Sequence, residues 1–336
     1  MSPSGWVAQH GVPTHEDMAV RFAAALKRVA GAAHRTPIVT SRQLDQLTGA
    51  RVFLKCENLQ RVGAFKFRGA WNFMGALTNE QRARGIVTYS SGNHAQAAAL
   101  SCRLQSVACT VVMPSFAPAA KRAATAGYGA TIVHYDQMGE TREALAARLA
   151  IERGATLMAP FDHPEIVAGQ GTAAAELLQD AGPLDAIVAP VGGGGLLSGT
   201  ALAAALDGRG TRVIGVEPET GDDAGRSFRS GVLQAAEHPD TICDGARTPM
   251  LSDLTFAFVQ RYAHDFVSCT DPEVVRAMRF LWERTKLVVE PTGALALAAL
   301  LSGKLKLDGK RVGIVLSGGN VDVAEAASWF GAADPA

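Results

Sequence analysis

The chain has few cysteines, few aromatic residues and no long apolar run. Its five cysteines are scattered and form no C-x-x-C pair, which excludes a disulfide framework and favours a reducing compartment. The longest apolar run, 294–301, is too short to span a bilayer, so we expect no membrane partner and a cytoplasmic protein. Basic and acidic residues number 32 each. With zero net charge, nucleic acid is not an expected partner.

Length and pattern predict the fold class. At 336 residues the chain exceeds the size at which a single core stops growing, so two lobes are expected. Short apolar, β-branched runs alternate with alanine-rich stretches, which predicts an α/β fold of doubly wound parallel sheets. The predicted strands are 52–54, 86–89, 109–113, 131–135, 156–159, 186–191, 213–217, 266–269, 287–289 and 312–316. The predicted longer helices are 93–103, 142–153, 165–180, 271–284 and 292–301, with Asp271 as the cap of the fourth.

One lysine lies between two aromatic residues near the start of the chain. Lys66 is flanked by Phe65 and Phe67, is followed by Arg68, and is bracketed by glycines. Apolar neighbours or a nearby cation would lower the pKa of its amine from the usual value of about 10.4. A neutral amine can attack a carbonyl, so Lys66 is a candidate for Schiff-base formation. A lysine at the surface that buries only its methylene stem is the simpler interpretation.

Four consecutive glycines follow the predicted strand 186–191. Gly192, Gly193, Gly194 and Gly195 lead into a helix that starts near Leu196. Such a turn lets backbone N–H groups converge at the positive end of a helix, which favours a phosphate cradle over a simple tight turn.

The glycine run fits neither of the two common nucleotide motifs. Leu197 or Ser198 occupies the place of the third glycine of G-x-G-x-x-G, and the G-K-[ST] ending is missing. Glu217 does end the next predicted strand, as an acid that binds ribose would. A nicotinamide-dependent dehydrogenase therefore stays an alternative, as does a phosphate-binding protein without catalytic activity.

Two further polar segments follow predicted strands. These are Ser90-Ser91-Gly92-Asn93-His94 and Ser317-Gly318-Gly319-Asn320. Ligands of open α/β sheets bind at the carboxyl ends of strands, and the first segment offers hydroxyls, an amide and helix N–H groups to a carboxylate. Each segment alone is also explained as a turn and a helix cap.

Together these segments resemble the fold-type II pyridoxal-phosphate enzymes, specifically the serine/threonine dehydratase and serine racemase family, which includes 3-hydroxyaspartate dehydratases. The resemblance covers nearly the whole chain, and further matching segments are Thr36-Pro37, Lys55 to Asn58, Ala168 to Thr172, Asp244-Gly245 and Glu290-Pro291-Thr292. It implies a cofactor, pyridoxal 5'-phosphate, bound to Lys66 as a Schiff base. The other implied cofactor contacts are Phe65 and Asn93 beside the ring, Gly192 to Leu196 at the phosphate, and Ser317 at the pyridine nitrogen.

The resemblance also implies a reaction. Lys66 would remove the Cα proton of a 3-hydroxy amino acid such as L-serine or L-threonine, which loses water and yields a 2-oxo acid and ammonia. Ser90, Ser91, Asn93 and His94 would receive the substrate carboxylate. A serine opposite the pyridine nitrogen does not enforce a protonated ring, which favours prompt loss of the β-substituent.

Four residues bear on which branch of this family the chain belongs to. Ser91 matches the residue that serves serine racemases as a second acid/base, whereas Phe161 stands where those enzymes have asparagine. Arg142 matches an arginine that reaches a second carboxylate, and Arg247 lies close to the expected pocket. A pair of arginines would suit 3-hydroxyaspartate. A hydroxyaspartate dehydratase is therefore the first alternative, and a racemase is the second.

The resemblance finally implies a cation loop, an assembly and a division into lobes. Glu217, the Gly221 carbonyl and Asp223 are candidate ligands for Mg²⁺ or Ca²⁺, although an acid-rich surface turn explains them equally well. A homodimer is expected. The predicted large lobe comprises 1–70 and 161–336, the predicted small lobe comprises 71–160, and the cofactor is expected between them.

Overall fold

The computed structural model describes residues 5–115, 117, 119–136, 139–237 and 239–332. In this part of the chain the strands form two sheets, one of six strands and one of four. The six-stranded sheet has the order β1-β2-β10-β7-β8-β9, and the four-stranded sheet has the order β5-β4-β3-β6. The strands are β1 Ile38–Val39, β2 Arg51–Cys56, β3 Ile86–Tyr89, β4 Cys109–Pro114, β5 Thr131–Tyr135, β6 Thr156–Met158, β7 Ala186–Pro190, β8 Arg212–Pro218, β9 Asp265–Cys269 and β10 Arg311–Leu316.

Helices cover both sheets. They are α1 Trp6–His10, α2 His15–Val29, α3 Arg42–Thr48, α4 Lys66–Ala76, α5 Asn79–Arg84, α6 Asn93–Leu104, α7 Ala119–Gly127, α8 Arg142–Arg153, α9 Pro164–Ala181, α10 Gly195–Asp207, α11 Asp223–Ser230, α12 Asp253–Tyr262, α13 Asp271–Phe280, α14 Pro291–Leu301 and α15 Val323–Ala332. Among the described residues, no helix is both long and apolar enough to cross a membrane.

The predicted α/β class with parallel sheets is confirmed. All strand pairs are parallel except β1 with β2, a two-residue edge pair that the sequence pattern does not reveal. The central strands β7 and β10 are buried almost throughout, since helices lie on both faces of their sheet. This burial explains why these strands read as continuous apolar runs.

Two local predictions are wrong. Residues 287–289 form no strand, because their backbone groups are bonded elsewhere: the Leu287 N–H donates to the Leu281 carbonyl, and the Val289 carbonyl accepts from Trp282 Nε1. Helix α13 is capped by Thr270 and not by Asp271. The Asp271 carboxylate instead accepts from Thr241 and from the Ile242 N–H, and so secures the segment that precedes Asp244.

The path of the chain places the functional segments between the two sheets. The four-stranded sheet uses only strands between Ile86 and Met158, whereas the six-stranded sheet combines strands from both ends of the chain. The chain passes between the two sheets at 57–85 and at 159–185. This topology accords with the predicted lobes, and their exact boundaries stay a prediction.

Candidate active site

A cavity lies at the carboxyl ends of β7 and β10, where the first helical residue of α4 also arrives. It is lined by Phe65, Lys66, Phe161, Pro190, Gly192 to Leu196, Gly245, Thr292 and Ser317. Chain segments far apart in sequence, including the predicted lysine, glycine and serine motifs, thus meet around one space. The carboxyl edge of a parallel sheet is where such folds bind ligands.

Lys66 is the amine inside this cavity. Its Nζ donates to the Pro160 carbonyl at 3.0 Å and lies 5.1 Å from the centroid of the Phe65 ring. Burial lowers the pKa of Lys66 to about 8, so a substantial fraction of the amine is neutral near physiological pH. The predicted direction of the pKa shift therefore agrees with the structure.

The predicted causes of that shift need correction. Phe67 turns away from the cavity and stacks on Trp71, with 5.7 Å between the ring centroids. Arg68 is fully buried on another side of α4, where Glu57 and Glu176 neutralise it. Only Phe65 of the three neighbours contacts the amine, and desolvation alone accounts for the lowered pKa.

Arg68 has a different task, because it holds the start of α4 in place. Its Nε and Nη2 donate to the two Glu57 oxygens at 2.7 and 2.9 Å, and its Nη1 donates to Glu176 at 2.8 Å. Lys55 is buried beside this network and is bonded to Glu176 at 2.6 Å. These contacts fix the helix that carries Lys66, and they keep the Lys55 amine out of the cavity.

The glycine run forms a close-fitting turn at the start of α10. Gly194 is the N-cap with φ +82°, in the left-handed region that favours glycine. A Cβ on Gly193 would lie 2.2 Å from the Phe161 ring, and one on Gly192 would lie 2.5 Å from the Gly245 carbonyl oxygen. Side chains are thus excluded at Gly192 and Gly193. The N–H groups of the first helical turn lack intrahelical acceptors, and Gly195 and Leu196 of this turn line the cavity.

The segment 90–94 joins β3 to α6, which begins at Asn93. Ser90 Oγ accepts from the Gly92 N–H at 3.2 Å and forms the turn, and Ser91 is half-buried. The positive end of α6 supports the predicted carboxylate site.

His94 is buried behind this turn. The Thr88 hydroxyl donates to the Met158 carbonyl, so it must accept from His94 Nε2, which leaves Nδ1 as an acceptor. Burial, and then the nearby Lys66, lowers the pKa of His94 to about 3. A neutral imidazole in this tautomer is a poor carboxylate receptor, so the prediction for His94 is wrong as to its side chain.

Glu290 is a buried carboxyl group that contacts Asn93, one of the predicted site residues. In the sequence it stands out only as part of the matching segment Glu290-Pro291-Thr292. Glu290 Oε1 accepts from Asn93 Nδ2 at 2.7 Å, and Asn93 Oδ1 accepts from Asn320 at 2.8 Å. Burial, and then the charge of Asp244, raises the pKa of Glu290 to about 8. Glu290 precedes Pro291 as an ordinary helix cap does, so the local sequence carries no separate signal for its contact with Asn93.

Comparison with known proteins now decides the family. Residues 29–318 match the model of the family described as pyridoxal-phosphate dependent enzyme. The chain belongs to this family. It is 51% identical over 312 residues to an L-threo-3-hydroxyaspartate ammonia-lyase of Saccharomyces cerevisiae, over 93% of this chain and 94% of that protein. It is 46% identical to a serine racemase of Schizosaccharomyces pombe, over 95% and 98% of the two chains.

A solved structure agrees with the fold. The crystal structure of serine racemase from Dictyostelium discoideum superposes with a TM-score of 0.86 at 41% identity, and the match covers 90% of this chain and 98% of that chain. The predicted family and fold-type II architecture are thus confirmed. The protein is a pyridoxal-phosphate-dependent lyase, and its relatives include ammonia-lyases and serine racemases.

The residues around the cavity fit pyridoxal 5'-phosphate. A buried amine with a lowered pKa suits the aldehyde, and a turn closed to side chains suits the phosphate. At the end of β10, Ser317 presents a neutral hydroxyl in the cavity wall, and its carbonyl accepts from the Phe65 N–H at 3.0 Å. The assignments of Phe65, Asn93 and Ser317 to particular cofactor atoms stay predictions.

The dehydrogenase alternative loses its main support. Glu217 is buried, and both of its oxygens accept backbone N–H groups, from Ala224 at 2.8 Å and from Gly225 at 2.7 Å. The Glu217 carboxylate is therefore bonded within its own loop and does not offer a ribose-binding acid. The family assignment also disfavours a phosphate-binding protein without catalytic activity.

The two predicted substrate arginines differ in position. Arg142 lies over the ring of Tyr89, which directly precedes Ser90, with 5.9 Å between the guanidinium carbon and the ring centroid. Arg247 is exposed and donates from Nε to the Thr241 carbonyl at 2.7 Å. Arg142 thus lies next to the residue that precedes the predicted carboxylate turn, whereas Arg247 is exposed, and neither arginine lines the cavity.

The predicted cation ligands meet in one loop. Burial, and then the charge of Asp223, raises the pKa of Glu217 to about 8, and burial raises the pKa of Asp223 to about 7. Asp223 Oδ2 is buried and has no partner among the described residues. Among the described residues, no group of three His, Cys, Asp or Glu side chains could hold a metal. The predicted ligand set differs from such a group, because it has two carboxylates and takes its third ligand from the Gly221 carbonyl. A cation would fit here, and its binding stays a prediction.

We expect calcium or magnesium to raise the melting temperature of the protein, since a cation would offset the repulsion between Glu217 and Asp223. Asp223→Asn should abolish this rise and should itself melt higher than wild type without cation, because it removes one buried charge. The matched control is Asp222→Asn, since Asp222 pairs with Arg226 at the surface. Thermal melting with and without each cation provides the measurement, and an equal rise in the Asp223 variant would exclude this loop as the site.

Proposed function

We propose that this enzyme is a 3-hydroxyaspartate ammonia-lyase. The sequence predicts L-serine or L-threonine as the substrate, with 3-hydroxyaspartate as the first alternative. The relative at 51% identity favours the second substrate, and so does the position of Arg142. The net reaction converts 3-hydroxyaspartate into oxaloacetate and ammonia.

The observation that carries this proposal is the free face of Arg142. Its Nε donates to Glu143 at 2.7 Å, while its two terminal nitrogens donate to no group among the described residues. The Tyr89 ring and the Glu143 carboxylate hold the guanidinium in place, and Tyr89 directly precedes the 90–94 turn. Two parallel N–H donors suit a carboxylate, and 3-hydroxyaspartate has one more carboxylate than serine.

The other residues then have distinct tasks. The Ser90 turn and the N–H groups at the start of α6 bind the α-carboxylate, while Arg142 binds the β-carboxylate, so the Cα–H bond is oriented between them. Bound pyridoxal phosphate withdraws electrons from Cα and makes its proton acidic. Lys66 Nζ takes that proton as general base.

Bond changes at the substrate follow from the proton transfer. The electron pair of the Cα–H bond forms the Cα=Cβ bond, the Cβ–O bond breaks, and the hydroxyl leaves as water with the proton that Lys66 took from Cα. The unsaturated amine then takes up water and yields the 2-oxo acid and ammonia. Among the described residues that line the cavity, Lys66 is the one amine, and burial lowers its pKa.

Arg142→Gln tests the proposal. Loss of two charge-assisted hydrogen bonds should lower kcat/KM for 3-hydroxyaspartate roughly 100-fold, mainly through KM, and should affect L-serine much less. Release of ammonia and 2-oxo acid is measured with the four 3-hydroxyaspartate stereoisomers, L-serine and L-threonine. Arg148→Gln is the matched control, because Arg148 lies on the same helix but pairs with Glu140 and Glu152 at the surface.

Two results would contradict the proposal. The first is a wild-type enzyme that prefers L-serine or L-threonine over every hydroxyaspartate isomer. The second is an equal loss on dicarboxylate and monocarboxylate substrates in Arg142→Gln, which would indicate a structural role for this arginine.

Serine racemase activity is the second candidate, because Ser91 lies in the turn that would face the substrate and a racemase relative is 46% identical. Exchange of a proton on both faces of Cα needs an acid/base opposite Lys66. Ser91→Ala should therefore lower any racemisation about 10²–10⁴-fold and reduce elimination from the L-substrate less.

Chiral chromatography and pyruvate release from L- and D-serine, at matched cofactor occupancy, measure the two activities of the Ser91 variant. Racemisation that survives in Ser91→Ala would refute its acid/base role. Equal loss of both activities would show that Ser91 chiefly positions the carboxylate.

A further inference from the structure

Gln170 is a fully buried residue of α9 whose two amide atoms have very different surroundings. Its Nε2 donates to the Pro160 carbonyl at 3.3 Å, and its Oε1 has no partner among the described residues. A buried acceptor without a donor destabilises a folded protein. An unpaired oxygen at this place therefore calls for a functional reason.

The unpaired oxygen faces the glycine cradle. It lies 2.5 Å from the position that a Cβ on Gly195 would occupy, and Gly195 lines the cavity at the start of α10. The rest of the side chain packs against α4, where a Cβ on Gly69 would lie 2.9 Å from Gln170 Cγ. Gln170 thus lies between the helix that carries Lys66 and the turn that would hold the phosphate.

The Pro160 carbonyl connects Gln170 to Lys66. This one oxygen accepts from both Lys66 Nζ, at 3.0 Å, and Gln170 Nε2. When the Lys66 amine moves to the cofactor, the carbonyl loses its first donor. Gln170 then supplies the remaining hydrogen bond to the segment that also carries Phe161.

We propose that Gln170 is a positioning residue that couples the phosphate cradle to Lys66. Its amide nitrogen holds the Pro160 carbonyl in place when the Lys66 amine leaves, and its oxygen accepts a hydrogen bond from a water bound to the phosphate. This inference rests on the assignment of the cavity to pyridoxal phosphate, and it is independent of which amino acid is the substrate.

Gln170→Met tests the inference because it keeps the volume and removes both polar atoms. In the apoprotein Lys66 still satisfies the Pro160 carbonyl, and the unpaired oxygen is gone. The apoprotein should therefore melt at or above the wild-type temperature, while the dissociation constant for pyridoxal phosphate should rise about 10-fold. The melting-temperature rise produced by inorganic phosphate should also shrink. Protein fluorescence during cofactor titration and thermal melting of the stripped full-length protein provide the two readouts.

Gln105→Met is the matched control. Gln105 lies at the far end of α6 from Asn93, has an unpartnered buried Nε2 among the described residues, and accepts from Arg82 at 2.9 Å. This variant should bind pyridoxal phosphate as wild type does. A Gln170→Met apoprotein that melts lower but binds pyridoxal phosphate normally would make Gln170 a packing residue and overturn the inference. If inorganic phosphate raised the melting temperature of Gln170→Met as much as that of wild type, the proposed contact between the Gln170 oxygen and the phosphate site would be wrong.

Gln170→Glu keeps the proposal testable if the methionine variant does not fold. At pH 8 the carboxylate cannot donate to Pro160 and adds negative charge beside the cradle, so cofactor affinity should fall by more than 10-fold. A protonated glutamic acid can donate, so the ratio of variant to wild-type dissociation constants should decrease as the pH is lowered toward 5. A ratio that does not change with pH would overturn the role of the amide nitrogen.

Discussion

Lys66→Ala is expected to abolish covalent cofactor attachment and to lower ammonia release by at least roughly 10²–10⁴-fold, the range expected for loss of a general base. The variant removes the buried amine in the cavity, whose hydrogen-bond acceptor is the Pro160 carbonyl. Absorbance of the purified protein, followed by borohydride reduction and mass spectrometry of the peptides, measures the attachment.

The fold of Lys66→Ala should persist. Burial lowers the pKa of this amine from 10.5 to about 8. Its contribution to the free energy of unfolding is therefore largest above about pH 10.5 and falls as the pH drops to 8. At pH 7 the buried ammonium is thus a cost, and its removal should not lower the melting temperature. Lys310→Ala, at an exposed position, is the control. A reducible attachment at another lysine, such as Lys55, would show that the assignment is wrong.

Gly194→Asp is expected to weaken pyridoxal phosphate binding by roughly 100-fold or more, because it opposes a dianion with a negative charge and displaces backbone donors. Gly194 has φ +82°, and a Cβ there would lie 2.6 Å from Leu251 and 2.9 Å from Thr255. The substituted turn must therefore shift, and the N–H groups at the start of α10 shift with it. Equilibrium dialysis of the cofactor against the stripped protein gives the affinity.

Gly208→Asp separates the effect on binding from backbone strain. Gly208 caps the other end of the same helix with φ +72°, and a Cβ there meets no atom within 4 Å. Both substitutions place a side chain in the left-handed region, so both should lower the melting temperature through strain. Only Gly194→Asp should lower cofactor affinity. Equal affinities in the two variants would rule out the glycine run as the phosphate cradle.

The position of Glu290 shows why part of the site is invisible in the sequence. This carboxyl contacts Asn93, which is 197 positions away, and the contact forms only because the fold brings the N-terminal ends of α6 and α14 together. Nothing in the local pattern of Glu290-Pro291 distinguishes a residue of the site from a helix cap. The same holds for Gln170, whose importance lies in its contacts with Pro160 and the glycine turn.

Arg68 shows the opposite case, because its closeness to Lys66 in the sequence does not bring the two side chains together. It is two residues from Lys66 on a helix, so its side chain points to another face, and Glu57 and Glu176 bind it there. His94 is likewise next to Asn93 in the sequence, but its ring turns toward Thr88. In both cases a buried partner from another element decided the direction of the side chain.

The homodimer, the cytoplasmic location and occupancy of the cation loop stay predictions. Light scattering of the purified protein would test the first. The cation loop nevertheless gains a physical basis from its paired carboxyl groups, since the pKa values of Glu217 and Asp223 are both raised.

The sequence by itself determined the parallel α/β class and most strand positions, and it predicted the reactive lysine and the glycine cradle. These features are local: apolar runs mark strands covered on both faces, and a four-glycine turn before a helix has few other uses. The tertiary structure alone decided which side chains share the cavity, that Lys66 is desolvated, that Arg142 packs on Tyr89 whereas Arg247 is exposed, and that Gln170 contacts Pro160. Those outcomes depend on burial and on contacts between elements far apart in the chain, which a local pattern does not encode.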